Sequence, residues 1–230
     1  MPVKAVYEDL GIIDYKKAWD YQEKLHQEIV SIKSGKIKKE ITNRIIFCEH
    51  PHVYTLGRSG KENNLLINDS ILNSINATYY RTNRGGDITY HGPGQIVGYP
   101  IFDLEQFKMG AKDYIFRLEE SIIKVLKYYN ICAKRLNGAT GVWIESDDTG
   151  NTRKICSIGI RISRYITMHG FALNVNTDLK YFNYINPCGY IDKGVTSIEN
   201  EVGFTPAIEE VKKKILDYII NEFEIHLFYF

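Results

Sequence analysis

The sequence is poor in most features that mark a specialised class. Only four of its 230 residues are cysteine, at 48, 132, 156 and 188, and no two stand in a CxxC spacing. A chain of this length folds without staples, so reduced thiols in a cytosol-like compartment are expected rather than a disulfide framework. Charge of one sign is lacking too: 29 basic residues against 28 acidic leave a formal net charge of +1. No strong field therefore argues for a nucleic-acid or anionic-membrane partner. No apolar run approaches the ~18 residues of a spanning helix, and the opening MPVKAVYEDLG is neither long-apolar nor Arg/Ser-rich. The expectation is a mature cytoplasmic protein. Repeats and low-complexity segments are missing, as are the GxxxxGK[ST] loop and a GxGxxG that follows a strand and opens a helix. What remains, 44% hydrophobic and 25% charged residues, is an ordinary globular composition with a full-sized core.

What the chain does have is a dense glycine-rich stretch, RGGDITYHGPGQIVGYPIFDL, from Arg84 to Leu104. Gly85, Gly86, Gly92 and Gly94 permit a positive φ or a close backbone approach, and Asp87, Thr89, Tyr90 and His91 bring polar groups between the two pairs. The apolar run from Ile96 reads as a buried strand that anchors this loop. Two ordinary turns around a hairpin would need the same glycines, and only the polar residues between them favour a preformed binding loop.

The remaining elements alternate helices with mostly adjacent strands. A strand is expected at 3–7, then a helix capped by Asp14 and ended by Gly35, with Ala18, Tyr21, Leu25, Ile29 and Ile32 as its buried stripe. NRIIFCEH and HVYTLG read as a strand pair broken near Pro51. The run Cys48-Glu49-His50-Pro51-His52 offers metal-ligand types, but neighbours on a strand point to opposite faces and no second cluster supplies matching ligands. Structural histidines at a turn, and no metal, are expected. A short helix follows at Asn68–Asn76, the strand TYYRTN, and a helix over Lys112–Asn130 with Tyr114, Ile115, Leu118, Ile122, Val125, Leu126 and Tyr129 buried. Strands are expected in ICAKRL, TGVWIES, RKICSIGIRIS and YITMHGFALNVN, with the polar turn DDTGNT before the third. A helix from Pro206 to Glu222, striped by Ile208, Val211, Ile215 and Ile219, and the strand IHLFYF close the chain. The class is α+β, a mixed β-sheet packed with helices, in a single domain over 1–230.

Two residues stand out chemically. Strict alternation along Arg153–Ser163 places Lys154 at the start of the face carrying Cys156, Ile158, Ile160 and Ile162. Such a lysine either lies at the wet end of the strand, its stem on the core, or is partly desolvated with a lowered pKa. Cys188, in Asn186-Pro187-Cys188-Gly189-Tyr190, is held on a turn by its Pro and Gly neighbours, whereas Cys48 and Cys156 read as mid-strand and buried. A turn cysteine is the one placed to react.

The glycine loop, the run KICSIGIRISRYITMHGFALNVNTDL, and INPCGY followed by Val195-Thr196-Ser197 together resemble the lipoyl(octanoyl) transferase family. The resemblance extends from Cys48-Glu49-His50-Pro51 and Tyr54-Thr55-Leu56-Gly57 to Val195-Thr196-Ser197. It implies the biotin/lipoate protein ligase fold and an octanoyl-[acyl-carrier-protein]:protein octanoyltransferase. On this sequence it assigns Cys188 as acyl-accepting nucleophile and Lys154 as its partner. Substrate contacts are expected from Arg84, Gly85, Gly86, Asp87, Ile88, Thr89, Tyr90 and His91, from Ser157, Ile158 and Gly159, and from Gly170, Phe171 and Ala172. It implies no cofactor and no metal. The donor would be octanoyl-acyl carrier protein, and the acceptors lipoyl domains of 2-oxoacid dehydrogenase complexes and the glycine cleavage H protein. One departure is visible: the turn ESDDTGNTRK is long and polar for a connection between those two strands. Three other readings stay open: an ATP-dependent lipoate or biotin protein ligase, a cysteine hydrolase using His91 or His169 as base, and a non-catalytic acyl-binding protein.

Overall fold

The computed structural model describes residues 2–145, 152–186 and 194–228. In chain order the elements are β1 (Val3–Ile12), α1 (Tyr15–Lys33), β2 (Asn43–Glu49), β3 (Val53–Leu56), α2 (Asp69–Ser74), β4 (Thr78–Arg81), β5 (Ile88–His91), β6 (Gln95–Ile101), α3 (Ala111–Tyr128), β7 (Lys134–Leu136), β8 (Ala139–Ile144), β9 (Arg153–Ser163), β10 (Ile166–Asn174), β11 (Gly194–Val195), α4 (Ile198–Val202), α5 (Ile208–Phe223) and β12 (Ile225–Phe228). A short 3-10 helix covers Leu179–Tyr184.

The strands form two sheets. The large one runs β12-β1-β2-β6-β10-β9-β8-β7, with β11 added parallel to β9, and the small one runs β4-β3-β5. The class expected from the sequence, mixed sheets packed with helices, is what the structure shows. One pairing is corrected: β2 and β3 are both strands, but they do not pair. β2 lies between β1 and β6 in the large sheet while β3 lies between β4 and β5 in the small one. Local pattern marks strands without naming their partners, and here the chain changes sheet at Pro51.

Alternation along β2 shows how the large sheet divides its core. Ile45 and Phe47 face the cluster built on α3 and α5, and Ile46 and Cys48 face the cluster beneath α1. Both faces are apolar because both are covered. In α3 the expected residues Tyr114, Leu118, Ile122, Val125 and Leu126 are buried, and truncating Leu118 or Ile122 to alanine would cost roughly 2–5 kcal/mol. α1 begins as expected, with Asp14 accepting from the Lys17 amide at 3.1 Å, and it ends where Gly35 takes φ +74°. Its buried face differs from the apolar count: Ala18, Leu25 and Ile29 are joined by Gln22, His26 and Val30, while Tyr21 and Ile32 are half-buried. Polar side chains enter this face because the sheet below presents backbone donors to satisfy, such as the His169 amide, which donates to Gln22 Oε1 at 2.8 Å.

The small sheet packs with α2 and the 3-10 helix around Tyr54, Leu56, Ile88 and Tyr90. One sequence expectation is shortened: ICAKRL is strand only over Lys134–Leu136, which leaves Cys132 before it, exposed. The turn DDTGNT lies mostly outside the described residues.

Candidate active site

A cavity of about 390 Å³ opens where the two sheets meet. Its floor is the α1-facing side of β9 and β10, where two successive cross-strand pairs consist of small residues, Ser157 opposite Ala172 and Gly159 opposite Gly170. The absence of bulk at both pairs leaves a trough along the strands.

The roof is the loop from Arg84 to His91. The Gly85 amide donates to the Ile160 carbonyl at 2.8 Å, which sets the loop directly on β9. Both sides of that contact need glycine: a Cβ on Gly159 would stand 2.8 Å from the Gly85 carbonyl oxygen, and one on Gly85 would stand 3.0 Å from the Ile160 carbonyl oxygen. Arg84 is buried, its guanidinium donating to the Thr55 carbonyl and hydroxyl and, at 2.9 Å, to the Gly85 carbonyl. Asp87 contributes its side chain as well as its backbone, accepting from Asn64 Nδ2 at 2.7 Å and from the Ile88 amide at 2.6 Å. The hydroxyls of Thr89 and Ser157 lie 3.5 Å apart and join roof to floor. Gly159→Val should therefore lift the loop from β9. We expect roughly 10²-fold loss of activity with the far-ultraviolet circular dichroism unchanged, about what a 1 Å misplacement of a positioning element costs.

At the open end stands Lys154. The alternation of the sequence would put it on the Cys156 face, but the β8–β9 ladder slips by one residue: Val142 pairs Cys156 and Trp143 pairs Lys154. Such a bulge places two successive residues on one side. Ile155 and Cys156 are both buried in the α3–α5 core, and Lys154 lines the cavity with Ser157. Its ammonium lies over the Trp143 ring, 4.5 Å from the centroid, and its backbone pairs with Val195 of β11. The Val195-Thr196-Ser197 motif fastens that strand. The Thr196 hydroxyl donates to Glu201, which also holds Arg153 at 2.7 Å, and Ser197 caps α4.

The other end is polar, with neutral imidazoles beside the buried Arg84 guanidinium. His91, Tyr99, His169 and Tyr15 line it. Burial pushes the imidazole of His50 down to about 4 and that of His169 down to about 3, and burial beside His50 and Arg84 holds His91 well below the usual range. Neutral rings fit their partners: His50 donates through Nδ1 to the Ile13 carbonyl at 2.7 Å and accepts from the Tyr99 hydroxyl at 2.7 Å. This gives the Cys48–His52 segment its scaffold role. Since the unfolded chain binds these protons near pH 6.5 and the native state refuses them, stability should fall as pH drops from about 6.5 towards 5. Urea midpoints across that interval test it, and His50→Gln should reduce the slope by up to one proton.

Of the residues expected at the site, Arg84, Gly86, Asp87, Ile88, Thr89, His91, Lys154, Ser157, Ile158, Gly159, Gly170, Phe171 and Ala172 line this one cavity. Gly85 does not, because it serves the docking of the loop on β9. Tyr90 does not either: it points into the small-sheet core, stacked on Tyr181 at 5.0 Å and bonded to His52 at 2.8 Å. Cys188 lies outside the described residues. Tyr15, Val97, Tyr99 and Trp143 line the cavity without having been singled out, since in sequence a tyrosine beside a cavity looks like one in a core.

The two-sheet α+β fold with a cavity under a glycine-rich loop is one that solved lipoate and biotin protein ligases share. Solved structures agree on the fold: an archaeal bipartite lipoate protein ligase from Thermoplasma acidophilum (TM-score 0.71, 14% identity, 98% of this chain and 86% of that one). The biotin protein ligase of Aquifex aeolicus, in complex with biotin and ATP, is more distant (TM-score 0.52, 12% identity, 96% and 70%). The model of the lipoyl protein ligase A/B catalytic domain matches residues 14–220, and the chain belongs to that family. It is 55% identical over 213 residues to the octanoyltransferase of Bacteroides fragilis, covering 93% of this chain and 95% of the relative. To that of Cytophaga hutchinsonii it is 51% identical over 226 residues, covering 96% and 93%.

Proposed function

We propose that this chain is an octanoyltransferase, one catalytic domain over 1–230 that moves an octanoyl group from octanoyl-acyl carrier protein to a lysine of lipoate-dependent enzyme domains. The observation that carries this is its 55% identity to an octanoyltransferase across nearly the full length of both proteins. The trough supports it, being built of small residues and flanked by Val97, Ile158 and Phe171 as an alkyl chain requires.

In this reading Cys188 is the nucleophile. Its thiolate attacks the donor thioester, the carrier thiol leaves, and the octanoyl-enzyme thioester that forms is close in energy to the one consumed, so the step needs no ATP. The acceptor ε-amine then attacks that thioester, a proton leaves the amine, Cys188 is released as thiol, and the amide product makes the step downhill. The other described thiols suit the task less: burial pushes those of Cys48 and Cys156 up, which keeps them protonated at neutral pH, and Cys132 does not line the cavity. Lys154 would favour the Cys188 thiolate as ammonium and take the acceptor's proton as amine. Backbone N–H groups of Gly86 or Asp87, or beside Cys188, would hold the oxyanion, since the Ile88 amide is committed to Asp87 and Ile88–His91 pair with β3. The Gly85 amide is committed to Ile160.

The acceptors would be lipoyl domains of 2-oxoacid dehydrogenase complexes and the glycine cleavage H protein, and the compartment the cytoplasm. No helix among the described residues is long and apolar enough to cross a membrane. The test mixes enzyme, octanoyl-acyl carrier protein and an isolated lipoyl domain without ATP or metal. An octanoyl mass increment on the acceptor lysine is the expected result. Transfer from free octanoate that appears only with ATP would instead assign the ligase chemistry.

A further inference from the structure

We propose that His169 is the stop at the far end of the trough and sets the acyl chain length, an inference that rests on the octanoyl-transfer reading. Pro100 begins the argument. It has no N–H for the β6–β10 ladder, and the regular register, which runs from Asn174 opposite Gln95 to Phe171 opposite Gly98, stops there. The Pro100 carbonyl is taken instead by the Thr167 hydroxyl at 2.7 Å. Between these points β10 bends, and His169 adopts φ +58°, a left-handed conformation that a non-glycine residue rarely takes within a strand. The bend turns its ring towards α1, where it meets Trp19 at 6.2 Å and lines the cavity.

Its position matches the end of the small-residue floor. His169 pairs with Ile160, one step beyond the Gly159–Gly170 pair. From Ser157 to Ile160 the strand advances roughly 10 Å, a medium-length alkyl chain laid along it. Three other polar groups at this end already have partners: His91 Nδ1 donates to Gln95 Oε1 at 2.8 Å, and Tyr99 and His50 satisfy each other. His169 is 1% exposed, and its Nε2 donates to Asn83 Oδ1 at 2.8 Å, which holds the ring at the end of the trough. A chain that reaches further must displace this ring and the hydrogen bond that holds it.

The experiment uses the full chain and acyl carrier proteins bearing hexanoyl, octanoyl, decanoyl and dodecanoyl groups, with single-turnover acylation followed by intact mass. The wild type should acylate at least tenfold faster with octanoyl than with decanoyl, tenfold being the lower end of what one extra methylene is worth in a closed pocket. His169→Gly removes the ring and suits the positive φ, and should raise the decanoyl-to-octanoyl and dodecanoyl-to-octanoyl rate ratios at least tenfold. Because the readout is a ratio within one variant, a general loss of rate does not move it. His169→Asn tolerates the same backbone with a shorter polar side chain and should give an intermediate ratio. Ratios unchanged in a folded His169→Gly protein, or a wild type indifferent to chain length, overturn the proposal. A wild type acylated by none of the four donors overturns the octanoyl-transfer reading instead.

Discussion

Cys188→Ala should abolish the octanoyl-enzyme adduct and lower transfer to the lipoyl domain by on the order of 10³-fold or more, as removal of a covalent nucleophile does. Intact mass and peptide mapping should place the wild-type adduct on Cys188, and neutral hydroxylamine should remove it. Cys132→Ser provides the control. That thiol is exposed and does not line the cavity, so adduct and turnover should persist. Iodoacetamide at neutral pH should label Cys132 and Cys188 and spare Cys48 and Cys156, whose thiols burial keeps protonated. An undiminished adduct in Cys188→Ala would move the nucleophile elsewhere and leave pure acyl binding as the role of the segment around Cys188.

The second large effect is expected at Lys154. If its ammonium favours the Cys188 thiolate, Lys154→Ala should slow alkylation of Cys188 at neutral pH and reduce overall transfer by roughly 10²–10⁴-fold, the range for a general base. Lys154→Arg separates the two roles. The guanidinium keeps the charge and stacks on the Trp143 face that now carries the ammonium, but it accepts no proton at any accessible pH. Part of the first half-reaction should survive and most of the transfer to the acceptor should be lost. Unchanged alkylation and unchanged half-reactions in Lys154→Ala would make this residue a solvated strand end, with water as the proton's destination.

Much of the fold is legible in the chain because its signals are local. Apolar spacing in α3 and α5, the Asp14 cap and the glycine after α1 depend on neighbours within a turn or two, and they appear where the sequence puts them, except that Ile115, Tyr129 and Ile208 at the edges of the stripes are only half-buried. Long-range pairing is not local, which is why β2 and β3, adjacent in sequence and both correctly read as strands, enter different sheets. The site shows the same division. Its motifs nominated sixteen residues, and thirteen of them line one cavity.

The sequence by itself determined the class, the glycine loop and the family, since composition, periodicity and motif order are properties of the chain as written. Only the tertiary structure decided which way the side chains turn. A one-residue slip against β8 takes Lys154 off the core face and into the cavity. Beyond the end of the β6–β10 register His169 takes φ +58° and lines the cavity. Gly85 serves strand docking and Tyr90 a separate core. Each outcome depends on a partner segment outside the strand itself, and strict alternation, the one rule a lone strand carries, fails wherever a bulge resets the pleat.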